Sequence, residues 1–194
     1  SLNSVGINWT DKKYYVGLAQ ETHDDYFAFS GSASTAAAGS VYNAAAGLRS
    51  KDTGTRLSFS YRDKGVRIGA DTSTLKFTET STQVNGFKQH KFNTWQVTGE
   101  YDVSSNFTVA AQYANNAAGT CELNGPISCS TVGLGGNLVG FGAKYNLDRN
   151  FALFALVAKG SANSGAVISL GSGAGRTAIG GTINAAAVGI QARF

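Results

Sequence analysis

Residues 99–115 read GEYDVSSNFTVAAQYAN. The polar stretch DVSSN is turn chemistry, because Asp, Asn and Ser bond their own backbone and tolerate tight bends. Beyond it, FTVAAQYA alternates, with Phe107, Val109, Ala111 and Tyr113 on one side and Thr108, Ala110, Gln112 and Ala114 on the other. Before it, TWQVTGEY sets Trp95, Val97 and Tyr101 against Thr94, Gln96, Thr98 and Glu100. A period of two over such lengths means strands with one greasy and one wet face. The stretch is a hairpin, and an aromatic ring stands on each shoulder of its turn.

The pattern recurs along the chain. TRLSFSYR sets Thr55, Leu57, Phe59 and Tyr61 against Arg56, Ser58, Ser60 and Arg62. NLVGFGAKYNL sets Val139, Phe141, Ala143, Tyr145 and Leu147 against Gly140, Gly142, Lys144 and Asn146. SVGINW and VGIQARF alternate in the same way, and no 3.6-residue stripe competes with them. Nine strands are expected, at about 2–9, 14–22, 55–62, 66–78, 92–101, 107–114, 137–147, 151–159 and 185–194. The chain is all-β.

Connections alternate as well. Short turns fall at TDKK (10–13), RDKG (62–65), DVSSN (102–106) and NLDRN (146–150), and long Gly-, Ala-, Ser- and Thr-rich segments lie between them. Long loops without structure are uncommon in compact soluble domains. Short turns at one end and long loops at the other mark an antiparallel transmembrane β-barrel. Composition agrees: charged residues are only 14% of 194, well under the roughly 25% of soluble domains. No stretch reaches the roughly 18 apolar residues of a spanning helix, which leaves strands as the way across. With no methionine and no leader-like apolar region, the chain reads as processed or partial.

The bracketing rings then find a common explanation. Trp9, Tyr14, Tyr61, Tyr101, Phe107, Tyr145 and Phe151 all flank the four short turns, and Phe194 ends the last strand at the same level. Amphipathic rings favour the boundary between hydrocarbon and water, so these residues are expected to form one girdle of the barrel.

The segment NLDRNFALFALVAKG, the terminal strand AAAVGIQARF with its final phenylalanine, and the hairpin VGINWTDKKYYVGLAQ resemble the general porins of Gram-negative bacteria, most of all the β-proteobacterial type. The resemblance covers essentially the whole chain, through the order of elements more than through tight motifs. It implies an outer-membrane, water-filled, 16-stranded barrel for small hydrophilic solutes, usually a homotrimer. It also implies that Phe194 is read by the barrel-assembly machinery. One departure stands out: nine strands put the first and last in the same direction, so no antiparallel ladder closes between them. An open edge in lipid leaves backbone groups unsatisfied at several kcal/mol each. Residues 1–194 are therefore expected to match strands 8–16, as the C-terminal half of a longer chain. The other resolution sets the first strand outside an eight-stranded barrel.

Function follows from the wet faces. The expected pore-lining set is Arg56, Arg62, Arg67, Asp71, Glu100, Lys144 and Arg193, with Lys159 joining on an uncertain phase because FALFALVAK is apolar on both sides. Small inward residues such as Gly69, Gly140 and Gly189 are expected to leave lumen volume. Fixed positive charge between low-dielectric walls concentrates anions, which gives a passive channel with a mild anion preference at a net charge of +4. The plainer reading is that the arginines brace the wall or neutralise loop acids. Ala-rich outer positions around 185–187 suit subunit packing, since small residues let backbones approach.

The remaining motifs point to no catalysis and no cofactor. Cys121 and Cys129, the only cysteines, are expected to form a disulfide in an oxidising compartment, with NGP as a turn between them. A metal would need further ligands. His23 and His90 fall in expected loops. GLGG (133–136) and GSGAGR (171–176) lack the strand-to-helix context and lysine of a phosphate loop, and no GxSxG elbow occurs. The basic residues alternate with greasy ones and form no nucleic-acid patch. Two other functions stay open, an outer-membrane barrel with a structural or adhesive role through its loops and a soluble β-sandwich binding module.

Overall fold

The structure, a computed structural model, describes residues 1–24, 49–80, 87–126, 129–166 and 178–192. The expected lining residue Arg193 and the terminal Phe194 lie outside the described residues. Ten strands form one sheet: β1 (Leu2–Thr10), β2 (Tyr14–Asp24), β3 (Ser50–Asp63), β4 (Val66–Glu79), β5 (Phe87–Asp102), β6 (Phe107–Asn116), β7 (Thr120–Leu123), β8 (Gly136–Asn146), β9 (Phe151–Ala162) and β10 (Thr182–Ala192). Nine of them pair antiparallel in chain order, and β7 pairs with the upper end of β5 beside β6. The fold is an all-β antiparallel meander with no helix among the described residues.

Three features depart from the sequence reading. Strand β3 begins at Ser50 instead of Thr55, and β5 at Phe87 instead of Phe92. These extensions carry polar residues on both faces, so alternation gives no signal for them. Strand β7 lies in a segment expected to be loop. Its four residues TCEL are too few to show a period, and pairing with Phe87–Lys91 holds them. His23 and His90 consequently sit in β2 and β5, not in loops. The two cysteines are bonded, with Cα atoms 5.5 Å apart.

The short turns are closed by local chemistry. Asp11 Oδ1 accepts the backbone N–H groups of Lys13 and Tyr14 at 2.6 Å each. Those two donors, Tyr14 first, hold the Asp11 carboxyl below its ordinary range. Asp148 Oδ1 does the same for Asn150 and Phe151, and Ser104 Oγ for Asn106 and Phe107. Between β3 and β4 the two loop residues Lys64 and Gly65 have φ of 45° and 82°. Positive φ at both positions gives the turn whose twist matches the flanking strands.

No core exists in the ordinary sense. Among the described residues the only buried apolar side chain is Ala152, at 6% exposure, whereas Ile7, Phe141 and Val188 are 72%, 58% and 84% exposed. A soluble sheet hides its apolar face under a second layer. Here no described residue covers that face.

The sheet has two open edges. Strand β1 pairs with β2 along its whole length, from Leu2–His23 to Thr10–Tyr15, and β10 pairs only with β9. The first strand is thus an integral edge of the sheet, and β1 and β10 run in the same direction.

Candidate functional site: the two faces of the sheet

Register decides which side chains share a face. Arg56 stands opposite Ser73, Ser58 opposite Asp71, and Arg62 opposite Arg67 across β3 and β4. Arg67 faces Glu100, and Asp71 faces Gln96, across β4 and β5. The same face continues through Thr108–Lys144 on β6 and β8. Arg56, Arg62, Arg67, Asp71, Glu100 and Lys144 therefore share one side of the sheet. Trp9, Tyr14, Tyr61, Tyr101, Phe107, Tyr145 and Phe151 occupy the other, close to the short turns. The Tyr14 and Tyr61 rings lie 5.2 Å apart.

The polar face is built from two ion-paired knots. Asp71 accepts from Arg56 Nε at 2.9 Å, Arg56 Nη2 at 2.7 Å, Ser58 Oγ at 2.5 Å and Gln96 Nε2 at 3.1 Å. Arg67 donates from Nη1 to Glu100 at 2.9 Å and from Nη2 to both carboxylate oxygens of Asp102. Thr108 Oγ1 braces Asp102 at 2.7 Å. Asp102 is a member that sequence reading assigned to the turn; its even spacing from Glu100 was the available signal. Arg62 and Lys144, by contrast, have no ion pair among the described residues. A recess of about 490 Å³ along this wall is lined in part by Arg56, Asp71, Thr94, Gln96 and Asn116.

Further up the same face the charge changes sign. Glu21 and His23 contact each other on β2, and Asp52 and Glu79 are buried at 6% exposure each. Among the described residues, the two cations of this face without an ion pair, Arg62 and Lys144, lie at the end near the short turns.

Two expectations about side-chain placement are corrected. Lys159 pairs with Val139 and Asn184 and so stands on the apolar side, not among the inward charges. Both faces of β9 are apolar, so only the neighbouring strands fix its phase. Of the alanines at 185–187, only Ala186, opposite Val157, shares the apolar side; Ala185 and Ala187 face the other way. Three glycines of the polar side, Gly69, Gly140 and Gly189, leave less space than expected, whereas a Cβ on Gly142 would meet nothing closer than 3.6 Å. A Cβ on Gly189 would meet the Phe154 ring at 2.5 Å, one on Gly69 would meet Thr98 Oγ1 at 2.6 Å, and one on Gly140 would meet Gln112 at 3.1 Å. Neighbouring side chains lie over these backbone positions.

A second aromatic level, unrecognised in the sequence, lies higher on the apolar side. Trp95 and Tyr113 rings approach to 5.2 Å. Six residues separate Tyr101 from Trp95 and Phe107 from Tyr113, or about 20 Å of strand between levels. From the Trp95 row upward the face turns polar, with Asn115, Asn137, Ser161 and Thr182 continuing that row.

Solved structures share this architecture. The anion-selective porin from Comamonas acidovorans superposes with a TM-score of 0.71 at 16% identity, over 100% of this chain and 49% of that one. The outer-membrane expressed OmpT of Vibrio cholerae gives 0.63 at 14% identity, over 98% of this chain and 55% of that one. The chain spans about half the length of these structures. No protein-family profile matches it, and no curated protein sequence does. The fold is that of outer-membrane β-barrels.

Proposed function

We propose that this chain forms part of the wall of an outer-membrane porin, a water-filled channel through which small hydrophilic solutes and ions diffuse passively. The observation that carries the reading is the sorting of the two faces. Exposed apolar side chains between two aromatic levels suit lipid, and a ladder of Arg, Asp, Gln and Thr on the reverse suits enclosed water. A soluble sandwich has no place for an uncovered apolar face of this extent.

The two open edges support a longer barrel. Because β1 and β10 run in parallel, antiparallel closure takes an odd number of further strands, which fits residues 1–194 as strands 8–16 of sixteen. A coding region about twice this long supports the half-barrel reading, and one no longer than this chain removes it.

The channel has a mild anion preference set near the short turns. Arg56 balances Asp71. Glu100 and Asp102 together exceed Arg67 by one charge, and Arg62 and Lys144, which have no ion pair among the described residues, leave this group of side chains net positive. The test is planar-bilayer conductance of the full-length protein. Wild type gives steady conductance with a reversal potential on the anion side, and R62E/K144E moves it toward cations. Absence of steady conductance overturns the channel. An unmoved reversal potential removes these two residues from selectivity.

A further inference from the structure

Beyond the Trp95–Tyr113 level, the apolar side of β3–β5 becomes basic. On β5 this face runs Tyr101, Val97, Trp95, Asn93, Lys91; on β4 it runs Ile68, Ala70, Thr72, Thr74, Lys76; on β3 it runs Phe59, Leu57, Thr55, Thr53, Lys51. Lys76 and Lys91 are direct cross-strand partners. Lys51 stands opposite Thr78, one diagonal step from Lys76. All three are exposed.

Like charges directly opposite one another destabilise a sheet, and no described residue forms an ion pair with Lys76 or Lys91. Lys88 nearby has Glu122 at 3.0 Å, but Lys51, Lys76 and Lys91 have no ion pair among the described residues. Asp24, opposite Lys51, accepts from Ser1 Oγ at 2.6 Å and keeps its charge, so it offsets Lys51 in part, while Lys76 and Lys91 face each other with no ion pair among the described residues. The cluster also sits on the lipid side, beyond the apolar run and the Thr and Asn rows that follow it, at the end away from the short turns. Short turns are periplasmic in such barrels, so this end meets the outer leaflet.

We propose that Lys51, Lys76 and Lys91 form a binding site for the phosphate of an anionic lipid of the outer leaflet. Its acyl chains lie on Leu57, Ala70 and Val97 below, and its phosphate sits between ammonium groups that otherwise repel. The hydroxyl of Thr74, at 2.8 Å from Asn93 Oδ1, and its neighbour Thr53 border the site with further polar groups. An amphiphile matches both the charge and the apolar run that lies below the Thr and Asn rows, whereas a free anion matches only the charge. The proposal rests on membrane insertion but not on conduction.

The experiment uses the full-length protein in phosphatidylcholine vesicles containing lipid A, with dephosphorylated lipid A and inorganic phosphate as comparison probes. Each lysine near an anionic surface is worth roughly a fivefold change in affinity, so K51Q/K76Q/K91Q is expected to bind lipid A on the order of a hundredfold more weakly. Bilayer conductance stays at the wild-type level, since none of the three faces the lumen. Unchanged lipid A binding by the triple variant overturns the site. So does equal binding of phosphorylated and dephosphorylated lipid A by wild type, and so does displacement of lipid A by inorganic phosphate at matching concentration, which marks a small-anion site. Failure of wild type to float with the vesicles overturns the membrane reading itself, and this proposal with it.

Discussion

The side of the sheet that carries Arg56 and Arg67 differs sharply between its two halves. Across β3–β6 it is a mesh of charge and amide: Arg56, Asp71 and Gln96 in one knot, Arg67, Glu100 and Asp102 in another. Across β9 and β10 the equivalent positions are Phe154, Leu156, Ala158, Ala185 and Ala187. Both halves belong to one continuous ladder and face the same way. The difference teaches that position on a face does not by itself make a residue polar. The polar half carries the electrostatics, and the apolar half is inert wall whose phase is dictated by its neighbours.

The largest expected effect comes from two adjacent residues on opposite faces of β9. Val157 shares its side with Phe141, and Leu156 shares its side with Gly142. Val157→Arg places a charge in hydrocarbon and is expected to cost about 2–4 kcal/mol in urea unfolding from vesicles. Leu156→Arg is expected to stay within about 0.5 kcal/mol of wild type while moving the reversal potential further toward anions. Equal penalties at the two sites would erase the distinction between faces.

Next comes the polar half. Asp71→Asn removes the charge that holds Arg56, so anion preference rises in the bilayer and stability falls by about 1 kcal/mol. A reversal potential that does not move would mean Arg56 lies off the ion path.

The smallest effect is at the turn between β1 and β2. The Asp11 carboxyl is depressed by the Tyr14 and Lys13 N–H groups, so its contribution is present above the ordinary carboxylate pKa and lost as pH falls through the lowered folded value. Asp11→Ala is expected to lower the urea midpoint slightly at neutral pH and to match wild type in strong acid. A deficit that persists in strong acid would assign the effect to backbone conformation instead of charge.

Sequence legibility followed contrast. Strands such as Arg56–Arg62 and Val139–Tyr145 alternate large greasy with small or charged residues, and their phase could be read directly. Where contrast vanished, reading failed. Lys159 was misplaced because both sides of β9 are apolar, β7 was missed because four residues hold no period, and the upper parts of β3 and β5 were missed because both faces are polar. The Asp71 and Asp102 knots were out of reach for another reason: they join residues 15 and 35 positions apart, and only register brings them together. The basic group of Lys51, Lys76 and Lys91 was hidden in the same way, since each residue alone resembles an ordinary strand-end charge.

The shared direction of β1 and β10 also bears on how crowded copies behave during insertion. Polar loops orient every copy alike, so any border of one molecule meets a border of another running the same way. Two such borders have no antiparallel ladder to form, and zipping into sheets across molecules is discouraged by geometry instead of by gatekeeper charges. A strand threaded in the opposite sense continues the existing ladder at either rim, whereas a second copy of the same rim offers only the slightly weaker parallel pairing, so strand polarity biases assembly against extra copies.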